Sequence, residues 1–235
     1  MMNVGVETSI GRVRETNEDS FWVGDGLLIV CDGMGGHQAG EVASKLAVDY
    51  IRGFKFLLSD PEEEIRQAIL GAHKEIVDAA KTDPALHGMG TTITMALCIP
   101  QAEGADVIFG HVGDSRAYGY SQGELFRITN DHSLVGELAR QGTLSPEEAE
   151  QHPQRHVLSQ ALGLGVVEVE VQRRFFSPGS RILLCTDGLT DVLSDEQIKE
   201  HLEGAHPQEV AHRLVQLANT LGGRDNITVI VAQVS

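Results

Sequence analysis

Apolar residues along the chain fall into short runs separated by Gly, Pro, Asn, Asp and Ser. The runs are rich in β-branched and aromatic residues, a composition typical of β-strands. The segments "VGDGL" and "YSQGEL" join neighbouring runs and are expected to be hairpin connections. The predicted strands are "SFWV", "LLIVC", "TTITMALCI", "ADVIFGHV", "SRAYGY", "ELFRIT", "VEVEVQRRF", "RILLCT" and "NITVIVAQV".

One long segment, "DPEEEIRQAILGAHKEIVDAAK", is predicted to be a helix, because it has an N-terminal capping pattern followed by apolar residues at helical spacing. Asp60 is the expected N-cap, Pro61 occupies the first helical position, and Glu63 completes a capping-box pattern. Apolar residues recur at helical spacing and predict one buried stripe. The stripe consists of Ile65, Ile69, Ala72 and Ile76.

Four further segments are predicted to be helical. "SPEEAEQ" and "SDEQIKEHL" begin with the capping residues Ser145 and Ser194. "PQEVAHRLVQLANTL" and "EVASKLAVDYI" each place apolar side chains on one face, which predicts ordinary core packing. These faces consist of Val210, Leu214 and Leu217 in the first segment, and of Val42, Leu46 and Tyr50 in the second.

The order of the predicted elements indicates the fold class. Strands joined by hairpins, with helices grouped in pairs, predict an α+β fold in which helices cover antiparallel sheets. Regular alternation of strand and helix is absent, which argues against a doubly wound parallel sheet. No long linker, low-complexity tract or solenoid repeat occurs, so residues 1–235 are expected to form a single domain.

Charge and cysteine content narrow the function classes. The 18 basic and 34 acidic residues give a formal net charge of -16, which disfavours nucleic acid and anionic membranes as partners. The excess of acidic over basic residues fits either a solvated surface or a cluster of carboxylates that binds cations. The three cysteines form no CxxC pair, and the N-terminus has no apolar leader segment. Buried thiols and a cytoplasmic location are therefore expected.

Aspartates border the apolar strands and mostly lie beside glycine. If these strand ends meet at one edge of the sheets, the carboxylates are crowded, because two like charges about 4 Å apart repel by about 4 kcal/mol. Such a cluster must protonate or bind a cation, and oxygen ligands without cysteine suit Mg²⁺ or Mn²⁺. The alternative is a set of unrelated turn residues. The five aspartates are Asp19, Asp32, Asp114, Asp187 and Asp225.

Competing catalytic motifs are absent. "DGMGGHQAG" lacks the Gly-Lys-Ser/Thr of a P-loop and the spacing of a dinucleotide fingerprint. No Gly-x-Ser-x-Gly motif of a serine hydrolase occurs. None of the cysteines is followed six residues later by arginine, which excludes the loop of cysteine-based phosphatases.

Eight segments occur in the order, and with roughly the spacing, of a known family. They are "GRVRETNEDSF", "LLIVCDGMGGHQAGEVAS", "GTTITMAL", "GHVGDSRAY", "DHSLVGEL", "HVLSQALG", "LLCTDGLTD" and "GGRDNITVIVA". The chain resembles the metal-dependent serine/threonine protein phosphatases of the PPM, or 2C, type, and is most similar to their bacterial stand-alone form. The resemblance covers essentially the whole chain.

The resemblance implies a four-layer αββα sandwich, with two central antiparallel sheets, flanking helix pairs and metal ions in a cleft at one edge. By matching position, Asp32 would bridge two Mn²⁺ or Mg²⁺ ions. Asp187 and Asp225 would complete the shell of one ion, and the carbonyl of Gly33 that of the other.

Further ligands follow from the same resemblance. Asp19, with Glu18 as the weaker candidate, would hold metal-bound waters. Asp114 and Asp187, together with Asp191, match a third and weaker metal site of bacterial members.

Other positions match residues that handle the substrate. Arg14 matches the arginine that grips the substrate phosphate. Where many eukaryotic members carry histidine after Asp-Gly, this chain has Met34, so His37 is the candidate proton donor or else shapes the loop. The segment from about 131 to 160 resembles the flap beside the cleft, where His156 either contacts substrate or packs the flap.

The implied reaction is hydrolysis of phosphoserine and phosphothreonine monoesters on proteins by a water or hydroxide held between the metal ions. The expected partners are phosphorylated proteins and a cognate Ser/Thr kinase, and the expected state is a monomer. Two alternatives remain: a non-catalytic module of the same fold that binds phosphoproteins or regulates a partner, and a phosphatase of small molecules or nucleic acid ends.

Overall fold

The structure is a computed structural model, which describes residues 2–35, 39–145, 148–149 and 152–235. The strands are β1 (Asn3–Ser9), β2 (Asp19–Gly24), β3 (Leu27–Met34), β4 (Gly90–Thr91), β5 (Ile93–Gln101), β6 (Gly104–Val112), β7 (Arg116–Ser121), β8 (Glu124–Arg127), β9 (Glu170–Phe176), β10 (Arg181–Cys185) and β11 (Ile227–Gln233). The helices are α1 (Ala39–Gly53), α2 (Pro61–Thr82), α3 (Leu134–Arg140), α4 (Asp187–Thr190), α5 (Asp195–Leu202) and α6 (Pro207–Thr220), with a 3₁₀ turn at Pro84–Leu86.

The strands form two antiparallel sheets. The first sheet has the order β1-β11-β10-β7-β8, and the second has the order β2-β3-β5-β6-β9 with β4 paired to β3. Every pair of neighbouring strands is antiparallel. The predicted α+β class with antiparallel sheets is therefore confirmed.

Three apolar cores separate four layers. Strand β3 shows the arrangement, because its side chains alternate between two cores as the period of a strand requires. Ile29 packs with α1 and α2, whereas Leu28 and Val30 pack between the two sheets. The third core lies between the first sheet and α4, α5 and α6, and includes Leu214. This helix–sheet–sheet–helix order is the predicted αββα sandwich.

Strand β1 was not predicted from the sequence. Val4 and Val6 are only partly buried against the core between the sheets, so the hydrophobic alternation along β1 is weak. Pairing with the apolar strand β11 over seven residues holds β1 in place. Gly5 lies against the start of α6, where a Cβ atom would collide with the backbone of Gln208.

The predicted buried face of α1 is confirmed only in part. Val42 and Leu46 pack, partly buried, against the core under the second sheet, whereas Tyr50 is 36% exposed. The face that contacts the sheet consists mainly of small residues, which let the helix approach the strands closely. These residues are Ala39, Gly40, Ala43, Ser44, Ala47, Val48 and Ile51.

The predicted start of α2 needs one correction. Asp60 is the N-cap and accepts a hydrogen bond from the Glu63 backbone N–H at 3.3 Å, as expected. The carboxylate that accepts a hydrogen bond from the N-cap backbone belongs to Glu64 and not to the predicted Glu63. The N–H of Asp60 donates to Glu64 Oε1 at 3.4 Å. Glu64 points inward, and Glu63 instead contacts the exposed side chains of Gln67 and Arg66.

Other local predictions hold where the structure describes them. Ser194 and Gln197 form a capping box at α5, and the N–H of Glu148 donates to Ser145 Oγ at 3.2 Å. The rest of the segment predicted to follow Ser145 includes residues 146–147 and 150–151, which lie outside the described residues. All three cysteines are free and buried, as expected. Along the described residues, no helix combines the length and apolar character needed to cross a bilayer.

Candidate metal centre

Two of the predicted aspartates lie opposite each other at the start of the second sheet. Asp19 on β2 and Asp32 on β3 are register partners of the antiparallel pair, so their side chains project from the same face. The backbone of Asp32 is fixed, since its N–H donates to Thr92 Oγ1 at 2.9 Å and its carbonyl accepts from Thr91 Oγ1 at 2.8 Å.

The carboxylate of Asp19 is oriented by hydroxyl groups from the other sheet. Asp19 Oδ2 accepts hydrogen bonds from Thr228 Oγ1 at 2.6 Å and from Thr186 Oγ1 at 3.0 Å. Thr228 is on β11 and Thr186 follows β10, so this aspartate connects the edges of the two sheets. The second oxygen, Asp19 Oδ1, is buried and has no hydrogen-bond partner among the described residues.

Asp187 and Asp191 are presented by the short helix α4. The chain enters this helix directly from β10, and the N–H of Asp191 donates to the carbonyl of Asp187 at 2.8 Å. Gly188 is required at this turn, because a Cβ atom there would collide with the carbonyl of Asn226. Asp187 Oδ1 is a second buried oxygen without a hydrogen-bond partner in the described part of the chain.

Asp114 reaches the same region from the connection between β6 and β7. Gly113 before it has φ of 117°, a conformation that favours glycine, and a Cβ atom there would lie 2.6 Å from Thr92 Cγ2. Ser115 after it shares a hydrogen bond with Thr92 Oγ1 at 2.8 Å. The loop that carries Asp114 is therefore packed onto the strand next to Asp32.

Burial, and after it the charges of neighbouring carboxyl groups, change the pKa values of these aspartates. Burial, together with the charges of neighbouring aspartates, raises the pKa of Asp19 to about 7 and that of Asp187 to about 7. Burial and the charges of Asp187 and Asp19 raise the pKa of Asp32 well above its ordinary value. For Asp114 the pKa is also raised well above normal, first by burial and then by Asp187. Without a cation, these groups retain protons near neutral pH.

The cluster fits divalent cations. Buried carboxylates need a partner of opposite charge, and among the described residues Asp19 Oδ1 and Asp187 Oδ1 lack even a hydrogen-bond partner. An all-oxygen donor set is the one that Mg²⁺ and Mn²⁺ prefer. Distant parts of the sequence converge here, so the interpretation as unrelated turn residues does not apply to this cluster.

Arg14 and Asp225 lie at the rim of the cluster and form an ion pair. Arg14 Nη2 donates to Asp225 Oδ2 at 2.7 Å, and both side chains are partly exposed. This hydrogen bond raises the pKa of Arg14. The second oxygen, Asp225 Oδ1, accepts from the N–H of Asn226 at 2.8 Å. Two residues predicted to play separate roles thus contact each other directly.

Asn226 was missed by the sequence reasoning, although it directly follows Asp225. Its side-chain Nδ2 donates to the carbonyls of Ile10 at 3.0 Å and Thr16 at 2.9 Å, and its Oδ1 accepts from the N–H of Glu18 at 2.8 Å. These three bonds fix the loop that carries Arg14. An asparagine beside a predicted ligand is the pattern that could have identified it.

Gly33 and Glu18 lie together at the N-terminal end of α1. The N–H of Gly33 donates to the carbonyl of Glu18 at 3.2 Å, and a Cβ atom on Gly33 would collide with the carbonyl of Gly40. Glycine is therefore needed at position 33 for backbone approach. Burial raises the pKa of Glu18. His37 lies outside the described residues, so its role stays a prediction.

The predicted flap meets the cluster at Asp191. His156 Nδ1 lies 3.4 Å from Asp191 Oδ2, and Arg155 Nε lies 4.0 Å from Asp191 Oδ1. One potential ligand atom from each of His156, Asp187 and Asp191 falls within 4.8 Å of the others. Burial raises the pKa of Asp191, an effect that His156 and Arg155 oppose.

A buried histidine pair at the base of the same segment was also missed. The rings of His111 and His132 have centroids 4.8 Å apart, and His132 Nε2 lies 3.5 Å from Glu170 Oε2. The N–H of His132 donates to the carbonyl of Gly113 at 2.7 Å. Burial and the charge of His132 lower the pKa of His111 to about 4, so His111 is neutral. This contact joins the base of the flap segment to the Asp114 loop.

Comparison with known proteins agrees with this fold and cluster. The family model described as Protein phosphatase 2C matches residues 11–225 of the chain. The chain belongs to the protein phosphatase 2C family.

Relatives in this family are bacterial phosphatases. The chain is 42% identical to the serine/threonine protein phosphatase PstP of Mycobacterium tuberculosis over 230 residues, which are 95% of this chain and 43% of that protein. It thus spans less than half the length of these mycobacterial relatives. It is 39% identical to the serine/threonine phosphatase stp of Listeria monocytogenes over 245 residues, covering 99% of this chain and 96% of the relative.

Solved structures show the same architecture. A crystal structure of the M. tuberculosis phosphatase PstP superposes with a TM-score of 0.92 at 40% identity, covering 99% of this chain and 98% of that one. The catalytic domain of PstP in complex with two manganese ions superposes with a TM-score of 0.89 at 38% identity, covering 99% and 98%.

Proposed function

We propose that this protein hydrolyses phosphoserine and phosphothreonine monoesters on proteins and requires Mn²⁺ or Mg²⁺. The observation that carries the proposal is the convergence of Asp19, Asp32 and Asp187, whose buried carboxyl groups have raised pKa values and include two oxygens without partners. The names of the relatives, and the two manganese ions in one of their structures, support the same conclusion.

We assign the metal ligands by the positions of the family motifs in this sequence. Asp32 would hold both ions, Asp187 and Asp225 would complete the shell of one, and the Gly33 carbonyl would serve the other. Divalent ions held there would lower the pKa of coordinated water toward about 7 and offset negative charge on the phosphate. We assign Asp19 a supporting role, because the hydroxyls of Thr186 and Thr228 already orient its carboxylate.

A third and weaker ion is assigned to Asp114, Asp187 and Asp191. The contact of His156 and Arg155 with Asp191 supports a connection between this site and the flap. We assign residues 131–160 to the flap of a single domain that spans residues 1–235. His156 contacts substrate in this proposal.

Arg14 binds the substrate phosphate. Its guanidinium is held at the rim of the cluster by the Asp225 contact, and a phosphate dianion can replace that carboxylate with two parallel hydrogen bonds. Asp225 is then released toward the metal site. The leaving alkoxide needs a proton, and His37 is the candidate donor, since histidine titrates near neutral pH.

A phosphate-release assay on a phosphothreonine peptide tests the proposal. Hydrolysis should require Mn²⁺ or Mg²⁺, stop with chelator, and be abolished in Asp32→Ala and Asp187→Ala. Asp25→Asn is the matched control, because Asp25 lies in the turn at the other end of the same β2–β3 hairpin, with φ of 52° that asparagine tolerates. Undiminished turnover in either alanine variant contradicts the site, and phosphopeptide binding without phosphate release contradicts the activity.

The physiological setting is proposed more broadly. We infer an opposing Ser/Thr kinase, a monomeric state and a cytoplasmic location, the last supported by the three free, buried cysteines. The net charge of -16 supports protein rather than nucleic acid substrates. The preference for protein substrates is tested by comparing the hydrolysis of a phosphopeptide with that of a nucleoside monophosphate.

A further inference from the structure

Two loops at the rim of the metal cluster contact each other directly. The loop between β1 and β2 carries Arg14, and the loop between α6 and β11 carries Asp225. The N–H of Arg12 donates to the carbonyl of Gly223 at 2.6 Å, which joins the loops directly. Gly11, with φ of 83°, packs so closely on the second loop that a Cβ atom would collide with the carbonyl of Asp225.

Each of these loops presents one more arginine. Arg12 and Arg224 are both exposed. The Cγ atoms of both side chains lie beside the Gly222–Gly223 segment, since a Cβ atom on Gly223 would lie 2.9 Å from Arg12 Cγ and one on Gly222 would lie 3.8 Å from Arg224 Cγ. The two joined loops thus carry Arg12 and Arg224 as well as the Arg14–Asp225 pair.

Neither arginine is neutralised. Within residues 2–35, 39–145, 148–149 and 152–235, no carboxylate oxygen lies within 4.0 Å of the Arg12 or Arg224 guanidinium. Other arginines in these ranges, such as Arg52, Arg66 and Arg173, do form such ion pairs. The chain as a whole carries a charge of -16. Two guanidinium groups without an acidic partner among the described residues therefore lie on the loops that carry the proposed phosphate-binding arginine, which also carry Glu15, Glu18 and Asp225.

We propose that Arg12 and Arg224 form a second anion subsite, which selects phosphopeptides that carry a carboxylate or a second phosphate close to the scissile phosphoresidue. This inference rests on the proposed function. Guanidinium groups suit both anions, because their planar donors match carboxylate and phosphate oxygens.

The spacing of the rim sets where the second anion lies on the peptide. Arg12 is two residues from Arg14, and Arg224 is adjacent to Asp225. Two residues of extended chain span at most about 7 Å. An extended peptide covers the same distance in about two residues, so the selected anion lies within about three positions of the phosphoresidue.

The test compares kcat/KM for matched phosphothreonine peptides. One peptide carries Glu at flanking positions, the second carries Gln there, and the third carries a non-hydrolysable phosphonate in place of the Glu. In separate peptides, the Glu or the phosphonate is placed on the N-terminal side or on the C-terminal side of the phosphothreonine. The proteins are the wild type, R12Q, R224Q and the double variant, with R174Q as the matched control for loss of an exposed arginine on β9.

The wild type should prefer an anionic peptide over the Gln peptide, and each arginine should contribute about two- to fivefold, as exposed charge pairs do. The double variant should bring the ratio close to one, whereas R174Q should keep the wild-type ratio. High salt should reduce the preference. A preference for Glu or for phosphonate identifies which anion the subsite takes.

Equal turnover of Glu, phosphonate and Gln peptides by the wild type overturns the proposal, as does a preference that persists in the double variant. Fluorescence anisotropy of labelled peptides on chelator-treated protein gives a second readout that needs no hydrolysis. If no peptide is hydrolysed by any form, the proposed function fails. The anisotropy ratio between wild type and double variant still decides whether the subsite exists.

Discussion

Asp19 and Asp32 are direct register partners on neighbouring antiparallel strands, so two carboxyl groups face each other where like charges are destabilising. Asp187, at the start of the helix that follows β10, adds a third carboxyl group. Burial raises the pKa of Asp19 and of Asp32, and the charge of Asp187 raises both further. The fold holds this arrangement through hydroxyl donors to Asp19. In the part of the chain that the structure describes, one buried oxygen each of Asp19 and Asp187 has no hydrogen-bond partner. A divalent cation relieves the repulsion, which is the central claim of the functional account.

Replacing Asp32 with Asn should stabilise the metal-free protein. Burial raises the pKa of Asp32 well above its ordinary value, so in the absence of metal this group destabilises the folded state as pH rises above the pKa of an unfolded Asp. We expect D32N to raise the free energy of unfolding in chelator by about 1 kcal/mol, or Tm by about 2–4 °C. The Mn²⁺-dependent increase in Tm should be lost. A chelated variant less stable than the wild type contradicts this.

Metal binding should release protons in a pH-dependent way. Burial raises the pKa values of Asp19 and Asp187 to about 7 in the metal-free protein, so these groups are largely protonated at pH 6 and ionised at pH 8.5. Cation binding requires the ionised forms. Titration calorimetry of Mn²⁺ binding in buffers of different ionisation enthalpy should show more protons released at pH 6 than at pH 8.5. Equal release at both pH values argues against these carboxylates as ligands or close neighbours.

Arg14 should contribute mainly to handling the substrate phosphate. Loss of a charge-assisted hydrogen bond to phosphate is worth about 1.5–3 kcal/mol, so Arg14→Gln should lower kcat/KM by about 10- to 100-fold. Mn²⁺ affinity should be retained or increased, because Asp225 loses its ion-pair partner. Arg213→Gln, an exposed change on α6, is the control. A variant with wild-type kcat/KM removes Arg14 from the proposed mechanism.

Glu64 should stabilise the start of α2 at neutral pH, and this stabilisation should be lost at acidic pH. Burial opposes its ionisation, but backbone N–H groups of Leu58, Asp60 and Leu57 and the hydroxyl of Ser59 lower the pKa of Glu64 to about 2. A carboxylate with a lowered pKa contributes stability above the unfolded pKa, and this stability is lost as pH falls from about 4.5 toward about 2.

Urea unfolding measures this effect. At pH 7, Glu64→Gln should reduce the free energy of unfolding by about 1–2 kcal/mol, because several donors lose a charged acceptor. The difference from wild type should shrink as pH falls below 4.5. Exposed Glu62→Gln serves as the control. A pH-independent difference would show that the side chain acts by packing alone.

Periodicity and turn chemistry predicted most of the strands and the α+β class because these are local properties. Predictions failed where a distant partner decides the outcome. Strand β1 is held by β11, some 220 residues away. The inner face of α1 is set by its close approach to the sheet rather than by its largest side chains. The choice between Glu63 and Glu64 at α2 depends on which carboxylate points toward the preceding loop.

The candidate metal centre was also predictable only in part, because some of its features are local in sequence and others are contacts between distant segments. Aspartate after an apolar strand beside glycine is visible in the sequence, and the family resemblance links the separate positions. Spacing alone does not show that Thr186 and Thr228 orient Asp19, or that Arg14 and Asp225 pair, because these contacts join strands and loops far apart in sequence. They depend on how the two sheets meet at one edge.

The most direct test of the central claim is the stoichiometry of Mn²⁺ binding. Chelator-treated protein is titrated with Mn²⁺, and free Mn²⁺ is measured by electron paramagnetic resonance. At least two ions should bind per chain in the wild type, and this binding should be lost in Asp32→Ala and reduced by at least one ion in Asp187→Ala, while Asp25→Asn binds normally. Absence of binding to the wild type, or full binding by both alanine variants, would contradict the account.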